Sequence, residues 1–295
     1  FIEALTEAAS FTANKIIENK RPKPKQAVRL TRHIRDQLTQ SIESHMAEVV
    51  SWSSQNQFVG MGVPMHTSTS TIALDIYTQP RRYLNIGDTK VTNEEDLLIN
   101  SNHILLLGEP GSGKTTSFKR ISFNMLTKDS SRRKDTLQFP LVIRLRELAE
   151  DTTLHSTIAN ILGIRNLQYE VAVEENSKNP KGIITKTQIL HAIDGNLEKI
   201  IPYCLNNMCV LLLLDGLDEM KSTHRDAIRN EIVNLSRRLT DSKIIVSCRS
   251  GDYTKQMEGF AVLEIRPLSA EQVRNIASLW LGDKHPQFME RLRSF

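Results

Sequence analysis

The sequence predicts a three-layer α/β domain on a five-stranded, mostly parallel sheet, preceded by an α-helical N-terminal region. Two observations carry this. Short apolar runs without alternation recur between stretches of helical periodicity, and the first run leads straight into a glycine-rich turn that opens a helix. Continuous apolar runs belong to strands covered on both faces, and helices joined by right-handed crossovers supply the cover.

Residues 1 to about 50 read as two amphipathic helices. Ile2, Leu5, Ala9, Ala13 and Ile16 keep helical spacing, and Leu30, Ile34, Leu38, Ile42 and Met46 repeat every four residues. The Pro-rich linker Arg21 to Lys25, with Lys20, Arg29, Arg32 and Arg35, is basic but has no aromatic interleaved to stack on bases. It reads as a solvated face rather than a nucleic-acid contact. Ser51 to Thr71, rich in Ser, Thr, Gly and Pro, reads as a loop and domain boundary. Ile72, Leu74 and Ile76 then alternate with Ala73, Asp75 and Tyr77, predicting a short strand that ends at Pro80.

The five sheet strands follow as His103 to Leu107, Leu141 to Leu145, Val210 to Leu214, Ile244 to Ser247 and Val262 to Ile265. Phe118, Ile121 and Met125 mark the buried face of the helix after the first strand, and Ile228, Ile232, Leu235 and Leu239 that of the helix before the fourth. Glu174 to Gly182 is polar and reads as an exposed loop. From Ser269 onward, Val273, Ile276 and Leu279 begin another helical segment.

Composition narrows the class. At roughly 150 residues per domain, 295 residues suggest about two domains, enough for a core without staples. Lys plus Arg exceeds Asp plus Glu by only 4, too little to imply a nucleic-acid or membrane partner. Cys204, Cys209 and Cys248 are an odd set without zinc spacing, which favours free thiols and a reducing, cytoplasmic compartment. No apolar run approaches the roughly 20 residues of a membrane span. The start at Phe1 rather than Met reads as a piece of a longer protein.

Gly108-Glu109-Pro110-Gly111-Ser112-Gly113-Lys114-Thr115 fits G-x-x-x-x-G-K-[ST] between an apolar strand and an amphipathic helix, the context that its mechanism requires. Glycines let the backbone curl so that successive amides, with that of Thr116 in the helix, face a phosphate chain at a positive helix end. Lys114 then neutralises β and γ phosphates, and the Thr115 hydroxyl ligates Mg2+. The third strand runs into Asp215-Gly216-Leu217-Asp218-Glu219. An aspartate at the carboxyl end of a strand beside a phosphate loop can hold magnesium, which assigns Asp215 opposite Thr115. Gly216 leaves room beside the metal. Asp218 and Glu219 lie where a supporting carboxylate and a base for an attacking water are needed, with Glu219 preferred as the base. The competing reading for these two acids is favourable charge near the next helix, where Thr223 and Asp226 offer a capping box. Arg249, at the end of the fourth strand, can report on the γ phosphate; the plainer reading pairs it with Asp252 or Glu219.

These elements together resemble the NACHT family of signal-transducing P-loop ATPases, of the STAND class. The resemblance lies in "ILLLGEPGSGKTT" at 104–116, "FPLVIRLREL" at 139–148, "VLLLLDGLDEM" at 210–220, "KIIVSCRSGDY" at 243–253 and "LEIRPLS" at 263–269, in wording most similar to bacterial members. The small residue after the first acid, with two more acids two and three places on, is the family's particular mark. What the resemblance implies is a three-layer P-loop NTPase that is held off with ADP, exchanges it for ATP when a C-terminal sensor finds its trigger, and self-associates to activate an N-terminal effector, as in immune and antiphage defence proteins. It implies phosphate and magnesium roles for Lys114 and Thr115, a metal role for Asp215, a catalytic acid at Glu219 and a sensor at Arg249. It also places Pro267 at the exit to a helical subdomain and Tyr77 to Arg81 near the adenine. The layout expected is 1–70 as helical region and linker, 71–268 as the nucleotide-binding domain and 269–295 as the start of a helical subdomain. Neither a winged-helix subdomain nor C-terminal repeats are read within these 295 residues, and 1–70 carry no resemblance to an effector.

The alternative is an interaction scaffold in which nucleotide is only a structural ligand and residues 1–50 carry the partner contacts. No N-K-x-D follows the phosphate loop to read guanine, no Ser-Gly-Gly signature marks an ABC-type ATPase, and helicase motor motifs are missing.

Overall fold

Runs that are apolar at nearly every position can be buried on both faces of a sheet, and the five runs lie side by side in one. The computed structural model describes residues 32–57, 62–84, 90–99, 103–127, 137–164, 168–174, 185–191 and 194–293. Helix α1 (Arg32–Ser54) leads to the paired strands β1 (Gln55–Asn56) and β2 (Met65–His66), the one-turn helix α2 (Thr67–Ser70), strands β3 (Ile76–Tyr77) and β4 (Val91–Thr92), and helix α3 (Glu94–Ile99). Strand β5 (His103–Gly108), helix α4 (Lys114–Thr127) and strand β6 (Phe139–Arg144) precede α5 (Leu154–Ile161), the hairpin β7 (Gln168–Glu174) and β8 (Thr185–His191), and α6 (Asp194–Met208). Then come β9 (Val210–Asp215), α7 (Ser222–Ser236), β10 (Lys243–Arg249), β11 (Phe260–Ile265), α8 (Ala270–Leu281) and α9 (His285–Arg293).

The chain divides into two compact units, Glu48–Glu150 with Cys209–Phe295, and Phe1–Ala47 with Asp151–Met208. The first holds a sheet of seven strands rather than five, in the order β4-β3-β11-β5-β10-β9-β6. Its five apolar strands are mutually parallel. The two additions, β3 and β4, join by antiparallel pairing and are two residues long. Of the strand expected from Ile72, only Ile76 and Tyr77 pair with β11; the residues before them run along the wall of a cavity instead.

Phe118 and Ile121 of α4 share one buried cluster with Ile104, Leu106, Leu213 and Ile245. The alternate residues Leu105, Leu212 and Val246 are equally buried, so both faces are covered. The expected loop over 51–71 contains structure, because its polar residues bond each other. The Asn56 amide donates to Thr67 Oγ1 at 2.8 Å, and Thr67 Oγ1 donates to Ser53 O at 2.5 Å, all three residues being buried. The capping box expected at Thr223 and Asp226 does not form, because the N-cap of α7 is Lys221, two residues before Thr223, and Asp226 turns to Arg229 and Lys255. A capping box does form at Ser269 and Gln272, opening α8.

In the second unit α5 packs on α6, with Leu154, Ile158, Ile201 and Leu205 buried. Strands β7 and β8 pair antiparallel from Gln168↔His191 to Glu174↔Thr185, a hairpin that the sequence reading did not anticipate. The helix expected at Ile2 to Ile16, the basic linker through Arg29, and the loop beyond Glu174 lie outside the described residues. Ile42 and Met46 of the second helical series are buried in α1. All three cysteines are free. No helix among the described residues is long and apolar enough to cross a membrane.

Candidate functional site

The turn between β5 and α4 depends on its glycines. Gly111 and Gly113 have φ of +75° and +97°, left-handed values that a side chain rarely tolerates. A Cβ on Gly113 would also meet Leu74 Cδ1 at 2.9 Å, and one on Gly108 would meet Ser112 Oγ at 2.4 Å. The first helical bond of α4 runs from the Ser117 N–H to Gly113 O at 2.7 Å, so the amides just before it have no partner within the helix. Lys114 Nζ donates back to Gly108 O at 2.7 Å and Glu109 O at 3.0 Å. Burial pushes this ammonium below the ordinary lysine range; Asp218 opposes the push and Arg249 adds to it. Ser112 Oγ is buried and has no hydrogen-bond partner.

Across the sheet, Thr115 Oγ1 donates to Asp215 Oδ2 at 2.8 Å. Asp215 Oδ1 accepts from Ser247 Oγ on β10 at 2.6 Å. After Asp215 the chain turns through Gly216 at φ +82°, and a Cβ there would lie 3.2 Å from Glu219 Cδ. The room that the sequence reading placed beside a metal is therefore used by the Glu219 carboxylate. Asp218, 3% exposed, accepts from Arg249 Nε at 2.9 Å and from the Arg249 N–H at 2.9 Å. Arg249 thus pairs with neither Asp252, which faces Arg225 at 3.7 Å, nor Glu219, whose carboxylate accepts from Arg146 Nη1 at 3.4 Å.

These groups surround a cavity of about 390 Å³, within the usual range for a small-molecule site. Pro110, Gly111, Ser112, Gly113, Lys114, Thr115, Thr116, Glu219 and Arg249 are among the residues that line it. Gly108, Glu109, Asp215 and Asp218 stand behind them, holding Lys114, Thr115 and Arg249 through the bonds just described. Ile72, Leu74, Leu268, Ile276 and Trp280 add an apolar part to the lining. Tyr77 to Arg81 and Pro267 do not line it; the residues near Ser70 to Leu74, and Leu268, do.

Sequence reasoning missed four groups here. Glu94, 3% exposed, accepts from Ser117 Oγ at 2.7 Å and Arg120 Nε at 2.6 Å on the cavity wall. Burial raises its pKa although Arg120 and Ser117 pull the other way. Ser117 and Arg120 sit three apart on α4, a helical spacing that was legible, but nothing in the sequence links them to Glu94. Trp280 Nε1 donates to Ser70 O at 2.7 Å and so brings α8 to the wall. Arg146 and Ser247 had no signal beyond being polar beside apolar strand residues.

The residues fit a magnesium-bound nucleotide. Left-handed glycines and the orphaned Ser112 hydroxyl suit a phosphate chain. Thr115 and Asp215 bring two hard oxygen donors together, the kind magnesium takes. Among the described residues no group of three or more His, Cys, Asp or Glu is arranged to hold a metal.

Comparison with curated proteins gives no match. Among solved structures, the chain is similar to a Signal Transduction ATPase with Numerous Domains (STAND) protein with a tetratricopeptide repeat sensor from Pyrococcus horikoshii. That likeness has 14% identity and a TM-score of 0.35, and covers 68% of this chain and 26% of that one. It is also similar to PCH-2 of C. elegans at 11% identity and a TM-score of 0.32, over 86% of this chain and 48% of that one. The chain therefore spans about a quarter and about half of these two proteins. The sequence model of the NACHT domain matches residues 102–284, well over half of the chain and the whole stretch from the phosphate turn through α8, and the chain belongs to the NACHT domain family.

Proposed function

We propose that the chain is an ATP-binding, slowly hydrolysing switch whose ADP or ATP state controls self-association in an immune or antiphage defence type protein. The single observation that carries the nucleotide part is the meeting of Lys114, Thr115 and Glu219 on the wall of one cavity, with Asp215 bonded to Thr115 behind it. Lys114 exchanges its loop carbonyls for β and γ phosphate oxygens, and the amides from Gly111 to Thr116 hold the phosphate chain. Thr115 and Asp215 hold Mg2+, which when bound offsets phosphate charge. Glu219 orients and deprotonates the attacking water. Arg249 is the sensor, held ready by Asp218. The apolar lining residues, Ile72, Leu268, Ile276 and Trp280 among them, take the base. Self-association and the defence setting rest on the family resemblance of the motifs, with trigger and effector supplied by regions beyond this chain.

The test is to denature the purified protein, identify and quantify the released nucleotide by chromatography, and repeat with Lys114→Ala. Near-stoichiometric ADP in the parent and none in the variant is expected. Equal nucleotide in both overturns the assignment of Lys114. A second reading, a non-hydrolysing scaffold with nucleotide as structural ligand, is favoured by one observation: the Arg249 guanidinium is paired with Asp218 through Nε rather than free to reach a phosphate. Turnover that depends on Glu219 separates the two.

A further inference from the structure

Strand β10 carries two polar side chains at its carboxyl end, Ser247 and Arg249, and the one that contacts the acidic strand end most closely is Ser247. Its neighbours Ile244, Ile245 and Val246 are apolar and fully buried, and Ser247 itself is 0% exposed. A hydroxyl in that position costs stability unless it is bonded, and here it is bonded twice. Ser247 Oγ donates its one proton to Asp215 Oδ1 at 2.6 Å and accepts the Gly216 N–H at 2.8 Å. The other oxygen of the same carboxylate, Oδ2, accepts from Thr115 Oγ1 at 2.8 Å. The carboxylate is therefore held between hydroxyls from two elements, with β10 lying in the sheet between β5 and β9.

We propose that Ser247 is a positioning residue for magnesium: it fixes the Asp215 carboxylate so that Oδ2 faces Thr115, and it fixes the Gly216 amide from which the turn carrying Asp218 and Glu219 begins. This rests on the nucleotide and magnesium reading given above. Ser247 does not line the cavity, so it acts through Asp215 and not on the nucleotide directly. Replacing a residue that orients a metal ligand costs about ten- to a hundredfold in metal affinity elsewhere.

The test is a magnesium titration of ADP and ATP binding, followed by calorimetry, for the parent, Ser247→Ala, Ser247→Thr and Lys114→Ala. Expected for Ser247→Ala is nucleotide affinity in EDTA within about twofold of the parent, with the magnesium concentration for half-effect raised about tenfold. Ser247→Thr, which restores the hydroxyl, brings that concentration back to within about threefold of the parent. Should Ser247→Ala fail to fold, Ser247→Cys keeps the volume with a weaker donor and shows the same shift. A variant lacking the hydroxyl that tracks the parent through the titration, or that loses affinity equally with and without magnesium, overturns the proposal alone. A parent that binds no nucleotide in either condition overturns the nucleotide reading and this proposal with it.

Discussion

Glu219 sits against a residue that has no side chain. At φ +82° Gly216 turns the chain sharply after Asp215, and its bare Cα leaves space that the Glu219 carboxylate fills. An alternate use for that carboxylate is already present in Arg146, 3.4 Å away and more than half exposed, a contact too solvated to hold Glu219 firmly. A side chain with this freedom can turn to a water held near the phosphate end of the cavity. Glu219→Gln keeps the shape and removes the base. It is expected to leave ATP affinity within about threefold of the parent and to lower single-turnover hydrolysis by at least about a hundredfold, the usual weight of a general base. Hydrolysis at the parent rate in that variant returns the chain to the scaffold reading.

Among the elements, half-buried His103 and buried His45 are both pushed toward the neutral form. His103, at the start of β5, uses both ring nitrogens: Nε2 donates to Ser236 O at 3.0 Å on α7, and Nδ1 accepts the Ile244 N–H at 3.1 Å on β10. Burial pushes its pKa down, Lys243 adds to the fall, and the Ser236 carbonyl opposes it. Burial also pushes His45 in α1 down to about 4 from 6.5. A group with a depressed folded pKa contributes stability that is complete above its unfolded value and lost as pH falls through the folded one. For His45 the window is pH 6.5 to about 4, and the loss across it is about 3 kcal/mol. Urea unfolding at pH 7 and pH 4.5 is expected to show a smaller acid loss for His45→Asn than for the parent; equal losses would mean that other groups set the acid limb.

The same elements show what a sequence can and cannot disclose. Five parallel strands were legible because burial on both faces forces an unbroken apolar run, and Gly111 to Thr115 were legible because the turn's conformation demands glycine at fixed places. Strand β4 was not, since two residues carry no period, and β3 was legible only as part of a longer run from Ile72. The hairpin β7–β8 was missed although Tyr169, Val171 and Val173 alternate with polar or small residues, because β8 is mostly polar and lacks that alternation. In the site, spacing along one element found Lys114, Thr115, Asp215 and Glu219. Glu94 with Arg120, and Ser247 with Asp215, are pairs made only by the fold, between residues 26 and 32 positions apart.

On the scale of the whole molecule, the cavity belongs entirely to the unit Glu48–Glu150 with Cys209–Phe295. A ligand stabilises what it binds, by about 2.7 kcal/mol at a hundred times its dissociation constant. Saturating ADP is therefore expected to slow amide hydrogen exchange in β5, β9 and β10 while α5 and α6, in the other unit, exchange as in the free protein. Equal protection of both units would show that nucleotide acts on the chain as a whole. The strand order adds a constraint in time. Strand β5, which presents the phosphate turn, has only β10 and β11 as neighbours, and both follow it by more than a hundred residues. During synthesis the turn emerges from the ribosome long before anything can pair with its strand. An apolar, unpartnered β5 must wait for the last third of this chain, so the growing polypeptide has an early stretch that invites chaperone capture and a nucleotide site that assembles late.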